Sequence, residues 1–184
     1  SNIDYVLNRY SILTKQNDKK SKYKKPRFIG PQPVTLNHEN LLQSNDINIL
    51  KGYAVTEKAD GTRCLLFITG HSGYLITHKL DVISTGIKFP DIPGECILDG
   101  EYITKNKDKQ DMKLYMIFDI YHNGQTPGSK PAFNHVWLSD DERVLTRSKL
   151  LKDFEFKIKS MVVDKDSIQI GFKHYEYGAI TKDM

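Results

Sequence analysis

The sequence predicts an α+β fold, a mainly antiparallel sheet with flanking helices, and three observations predict it. Short β-rich runs separated by turn clusters follow one another from Gly52 to Tyr121. Apolar residues at helical spacing lie before and after that stretch. Gly70-His71-Ser72-Gly73 is a connection short enough for a hairpin, so the runs it joins are antiparallel neighbours.

The elements follow in order. Ile3, Val6, Leu7, Tyr10 and Leu13 recur at helical spacing and predict a short amphipathic helix; Ser1 and Asn2 read as the remnant of a cleaved tag. A polar linker, Gln16 to Lys25, comes next. Phe28 to Leu36 holds Gly30, Pro31 and Pro33, which favour an extended, irregular strap leading into a brief helix around His38 to Gln43. Strands are expected at Tyr53 to Glu57, Cys64 to Thr69, Tyr74 to His78, Cys96 to Ile103 and Leu114 to Tyr121. Leu114 to Phe118 is almost continuously apolar, as a strand covered on both faces would be. Ser139 with Glu142 forms a capping-box pattern, from which a helix is expected through Val144, Leu145, Lys149, Leu150 and Phe154. Ile168, Ile170 and Phe172 alternate with polar residues and predict a last strand, while Trp137 reads as the anchor of a loop or as a contact for a further domain.

A chain of 184 residues with 39% apolar content fits one domain with a real but lean core. Lys and Arg exceed Asp and Glu by 27 to 23, and the surplus gathers between Lys15 and Arg27. Lys22, Lys24, Lys25 and Arg27 in that run are candidate RNA contacts, although such runs also serve as solvated surface. Cys64 and Cys96 sit in apolar stretches, which suits packed, reduced thiols in an intracellular, reducing compartment. No apolar run approaches a membrane span, and the six histidines lack metal-site spacing and read as surface or packing residues.

Three short pieces carry chemistry: Glu57-Lys58-Ala59-Asp60-Gly61-Thr62-Arg63, Asp99-Gly100-Glu101 and Phe118-Asp119. In the first, a strand delivers Lys58 to a loop and Asp-Gly turns the chain so that Arg63 returns toward the same place. A lysine attacking phosphorus must be neutral, whereas Glu57 and Asp60 favour its charged form, so Arg63 and a bound divalent metal are the cations expected to oppose them. As an isolated motif the piece also fits a salt-bridged surface turn. In the second, Asp99 and Glu101 are two apart on a strand and share a face, spaced for a hydrated Mg²⁺ or a ribose hydroxyl; an edge strand with a polar face is the alternative. In the third, Phe118 offers a flat face for a purine and Asp119 an acceptor or outer-sphere metal partner, unless Phe118 is ordinary core.

In this order the pieces resemble the covalent nucleotidyltransferases, the mRNA capping guanylyltransferases and the ATP-dependent ligases, from about Phe28 to Tyr121. The resemblance implies the nucleotidyltransferase domain, without its OB-fold, spanning 28–184 and incomplete at its C-terminus, with 1–27 as an N-terminal helix and basic linker. It implies Lys58 as the nucleophile that becomes nucleotidylated, and Thr56, Glu57, Asp60, Arg63, Glu101 and Phe118 as nucleotide-binding residues, Phe118 stacking on the base. Asp99, Glu101 and Asp119 become candidate ligands of Mg²⁺ or Mn²⁺. Gly30-Pro31-Gln32-Pro33-Val34 resembles the segment that precedes the lysine in capping enzymes, which favours GTP as substrate and 5′-diphosphate RNA as acceptor. Lys-Ala-Asp-Gly-Thr-Arg resembles the capping enzymes of large eukaryotic DNA viruses, implying host cytoplasm for a viral protein and nucleus for a cellular one.

The family's later motif, an acidic residue before G-x-V/I, has only Tyr177-Gly178-Ala179-Ile180 as a counterpart, so further domains on a longer polypeptide are expected. Two other readings stand beside this one. An ATP-dependent polynucleotide ligase would differ in nucleotide preference, and a non-catalytic RNA-binding module would bind RNA in a salt-dependent way that survives loss of Lys58.

Overall fold

A computed structural model describes residues 2–15, 26–31, 54–55, 61–124, 135–158, 161–173 and 176–177. Two helices, α1 (Asn2–Leu13) and α2 (Arg147–Lys157), accompany strands β1 (Ala54–Val55), β2 (Thr62–Thr69), β3 (Ser72–Thr77), β4 (Val82–Lys88), β5 (Cys96–Lys105), β6 (Asp111–Asn123), β7 (Val162–Val163), β8 (Gln169–Phe172) and β9 (Glu176–Tyr177). The chain divides into two units, Ser1–Gly30 with Ala59–Phe172 and Pro31–Lys58 with Lys173–Met184.

In the first unit the sheet runs β7-β4-β3-β2-β5-β6-β8. Every pairing in it is antiparallel except β6 with β8, which is parallel from Leu114↔Gln169 to Ile117↔Phe172. The expected hairpin is present: Thr69 faces Ser72, and Gly70 and His71 turn with φ of +55° and +64°. Positive φ at both central residues matches the right-handed twist of the flanking strands. The second unit contributes the antiparallel pair β1–β9, with Ala54 opposite Tyr177 and Val55 opposite Glu176.

Burial explains why β2 is central. Cys64, Leu66 and Ile68 point to one face and pack with Leu98, Ile117 and the α2 residues Leu150, Leu151 and Phe154. Leu65 and Phe67 point to the other and pack with Val6 and Tyr10 of α1. β2 from Cys64 onward and β5 from Cys96 to Gly100 are therefore covered on both faces. In β6, Tyr115 and Ile117 are buried but Leu114, Met116 and Phe118 are only half-buried, which corrects the expectation for that run. The cluster that α1 caps takes in Tyr121 near the end of β6, but Leu114, Met116 and Phe118 are not among its residues.

Three further expectations meet the structure. The second helix starts at Arg147, capped by Thr146, whose side chain accepts from the Lys149 N–H. Ser139 instead closes a local turn, accepting from the Asp141 N–H at 3.1 Å, and Val144 and Leu145 stay exposed. β4 has no counterpart among the expected strands: Gly86, at φ +71°, interrupts its pattern, and its partner register slips between Ser72 and Tyr74. Trp137 packs against the core as a loop anchor. The linker Gln16 to Lys25 and the helix around His38 to Gln43 lie outside the described residues, as does all but Ala54–Val55 of the strand expected at Tyr53 to Glu57.

Candidate active site

The described part of the site is built where β2, β5 and β6 run side by side. Cross-strand partners in an antiparallel ladder point the same way, so Arg63 opposite Glu101 and Leu65 opposite Asp99 set all four side chains on the face that α1 covers. Asp99 is fully buried there. A buried carboxylate requires donors, and it has them: Arg63 Nε donates to Oδ1 at 3.1 Å, Arg63 Nη2 donates to Oδ2, and the Tyr121 hydroxyl donates to Oδ2 at 2.5 Å. Burial works against the charge on Arg63, but the hydrogen bond to Asp99 and its negative charge outweigh that and hold the guanidinium above its ordinary value. Burial first, and Asp99 second, push the Tyr121 phenol up, so it remains a donor.

The residue between the two acids is dictated by the opposite face. A Cβ on Gly100 would stand 2.3 Å from the Met116 carbonyl oxygen and 2.7 Å from the Tyr115 ring. Tyr115 fills that space and donates its hydroxyl to the Cys64 carbonyl at 2.7 Å, tying β6 to β2 across β5. Asp-Gly-Glu thus places two carboxylates on one face and clears the other for a tyrosine.

On β6 the register slips so that Asp99 faces Asp119 while Gly100 faces Ile117, which leaves Phe118 as the extra, half-buried residue of a bulge. A bulge re-aims a side chain relative to a regular strand. Asp119 accepts from the Ile120 N–H at 2.8 Å and pairs with Arg147 Nε at 3.1 Å. Arg147 heads α2 and lies 5.9 Å from the Trp137 ring centroid. Burial pushes the Asp119 carboxyl up to about 6, more than Arg147 and the Ile120 N–H pull it down.

Of the expected residues, the structure brings Arg63, Asp99, Glu101 and Asp119 to adjacent positions on neighbouring strands, with Phe118 beside them. Lys58, Thr56, Glu57 and Asp60 lie outside the described residues, as do Lys22, Lys24 and Lys25; Arg27 is exposed. The two Asp99 oxygens accept from Arg63 and Tyr121. Among the described residues no three His, Cys, Asp or Glu side chains form a metal-binding group. Sequence reasoning missed Tyr121 and Arg147, and read Phe28 and Gly30 only as part of the strap before the lysine. Tyr121 was within reach, since it stands two after Asp119 and so shares its side of the strand. Phe28, whose ring centroid lies 5.4 Å from Arg63 Cζ, left no local signal.

The zebrafish (Danio rerio) mRNA-capping enzyme is 29% identical over 136 residues, which cover 68% of this chain and 22% of that protein. This chain therefore spans about a fifth of the length of that relative. A solved chain titled "Pmar-Lig_Pre." superimposes with a TM-score of 0.38 at 18% identity, over 67% of this chain and 30% of the other. The family model described as "mRNA capping enzyme, catalytic domain" matches residues 5–179, an interval that holds Lys58, Arg63, Asp99, Glu101 and Phe118 together, and the chain belongs to that family.

Proposed function

We propose that the chain is the nucleotide-binding part of an mRNA guanylyltransferase, in which Lys58 takes GMP from GTP and passes it to a 5′-diphosphate RNA. The observation that carries the reading is the setting of Arg63: the last residue of Lys-Ala-Asp-Gly-Thr-Arg, in a chain of the capping family, held by a buried carboxylate with a quarter of its side chain exposed. A guanidinium fixed in that way is a preorganised anchor for ribose or phosphate oxygens.

In the first step the Lys58 amine, having lost its proton, forms an N–P bond to the α-phosphorus, and the bond to the β-phosphate oxygen breaks to release pyrophosphate. In the second, a terminal oxygen of the RNA diphosphate attacks the same phosphorus, the N–P bond breaks, and Lys58 recovers a proton. Arg63 holds the nucleotide, Phe118 stacks on the guanine, and Thr56, Glu57 and Asp60 contribute to nucleotide binding. Asp99 serves by orienting Arg63. Mg²⁺ or Mn²⁺ bound through Glu101 and the triphosphate, with Asp119 in the outer sphere, would neutralise phosphate charge; one carboxylate plus phosphates is an ordinary Mg²⁺ set. The reading places the protein in a reducing intracellular compartment, with Lys22, Lys24, Lys25 and Arg27 toward RNA and with further domains of a longer polypeptide as partners.

The test is transfer of α-labelled nucleotide to protein that is then denatured. Acid-labile label from GTP, absent with ATP and lost in Lys58→Ala, is the expected result. Label from ATP instead would make the chain a ligase-type adenylyltransferase. No label from either nucleotide, together with no GTP binding by equilibrium dialysis, would overturn the reading.

A further inference from the structure

We propose that Tyr10 of α1 is a positioning residue for Arg63, acting through the segment Arg27–Gly30; the proposal rests on the guanylyltransferase reading and assigns Arg63 its support. Tyr10 is completely buried, with its ring edge-on to Phe67 at 6.0 Å. For that packing a phenylalanine would serve equally well. The hydroxyl does something a phenylalanine could not. It donates to the Arg27 carbonyl at 2.5 Å and accepts from the Ile29 N–H at 3.0 Å. One phenol thereby satisfies both a backbone acceptor and a backbone donor on either side of Phe28 and fixes how close that segment lies to the sheet.

That closeness matters because the pinned segment rests on the arginine. Phe28 lies against the guanidinium, 5.4 Å from ring centroid to Cζ. Gly30 is closer still: a Cβ there would stand 2.7 Å from Arg63 Nη2 and 3.1 Å from Asp99 Oδ2. Asp99 and Tyr121 hold the guanidinium from within the sheet, and the segment bounds it from above. Without the hydroxyl the segment loses these two backbone contacts, and the wall that it forms against Arg63 loosens.

A purely architectural role for Tyr10, docking α1, is served by another contact. Arg9 forms a forked pair with Glu95, its Nε donating to Oε2 at 3.1 Å, and Thr69 donates to the same Oε2 at 2.8 Å. That network joins α1 to the sheet without touching residues 27–30.

The experiment compares Tyr10→Phe, Phe28→Leu and Arg9→Gln with the wild type, using α-labelled GTP for equilibrium dialysis and for the rate of protein labelling, alongside thermal melts. Tyr10→Phe and Phe28→Leu are each expected to weaken GTP binding about fivefold, as loss of roughly one to two hydrogen bonds' worth of preorganisation implies, with a smaller change in the rate at saturating GTP. Arg9→Gln is expected to lower the melting temperature while leaving the GTP affinity unchanged. If folded Tyr10→Phe and Phe28→Leu bind GTP as the wild type does, or if Arg9→Gln weakens binding as much as they do, the positioning role is overturned. If the wild type itself neither binds nor incorporates GTP, the guanylyltransferase reading falls, and this proposal with it.

Discussion

Asp99 and Asp119 face each other across β5 and β6 but meet different surroundings. Asp99 receives three donors from Arg63 and Tyr121. Asp119 accepts from the Ile120 N–H and stands in ion-pair range of one guanidinium, and burial prevails: its carboxyl is pushed from an ordinary 3.8 to about 6. A carboxyl raised in the folded state binds its proton more tightly there than in the unfolded chain. Between about pH 4 and pH 6 the native state keeps a proton that the unfolded state has released, so this group's contribution to stability declines as pH rises and levels off above about 6. Asp119→Asn has no such decline. Its stability relative to the wild type should therefore climb by about 2 kcal/mol from about pH 4 to pH 7, read from urea unfolding at each pH. A difference that does not change with pH would remove burial as the controlling influence on Asp119. The same residues show what short motifs reveal. The common face of Asp99 and Glu101 was legible because they stand two apart on one strand, and Arg63 joins them through the register of β2 with β5. The donation of Arg63 and Tyr121 to Asp99 was not legible, because it depends on contacts 36 and 22 residues distant in the chain.

Elements were legible wherever periodicity was local and unbroken. β2, β3, β5 and β6 fall where alternation and turn residues place them, and α1 follows its apolar spacing. β4 escaped because Val82-Ile83-Ser84-Thr85-Gly86-Ile87-Lys88 holds a glycine at positive φ, which reads as a turn in sequence and is a strand irregularity in the structure. The parallel β6–β8 pairing escaped for another reason: its partners are separated by the whole of α2 and share no turn that would specify them. The start of α2 departs from expectation because two stretches compete for the role of cap. Ser139 and Glu142 satisfy the spacing, but Thr146 is the residue that is buried with its hydroxyl accepting from the N–H three residues on, at 3.3 Å. The two candidates separate on substitution. Thr146→Ala should cost about 1 kcal/mol of stability, and Ser139→Ala no more than a few tenths, in parallel denaturant titrations. Equal losses would return the cap to Ser139.

At the scale of the whole sheet-bearing unit, Cys64 and Cys96 report on how the fold holds together. The expectation of packed thiols matches the structure, in which both are buried and unpaired with each other. They lie toward opposite ends of one ladder, Cys64 opposite Gly100 and Cys96 opposite Ile68, on the face that packs against α2. Burial pushes the Cys64 thiol up to about 11 and Cys96 higher, and the thiolate is the form that reacts. Reaction with an aromatic disulfide reagent must therefore wait for opening of the sheet, and the native protein should react at least about a thousandfold more slowly than the unfolded chain. The two sites also test cooperativity. From Cys64 to Ile68 β2 is buried on both faces and bonded to both β3 and β5, so that part of the β2–β5 ladder cannot open without exposing core from both clusters. Both thiols should become reactive with one urea midpoint, coincident with the loss of the sheet's circular dichroism signal. Earlier reaction at Cys64, on the end of the ladder next to Arg63, would mean that the candidate site opens while the rest of the core stays closed.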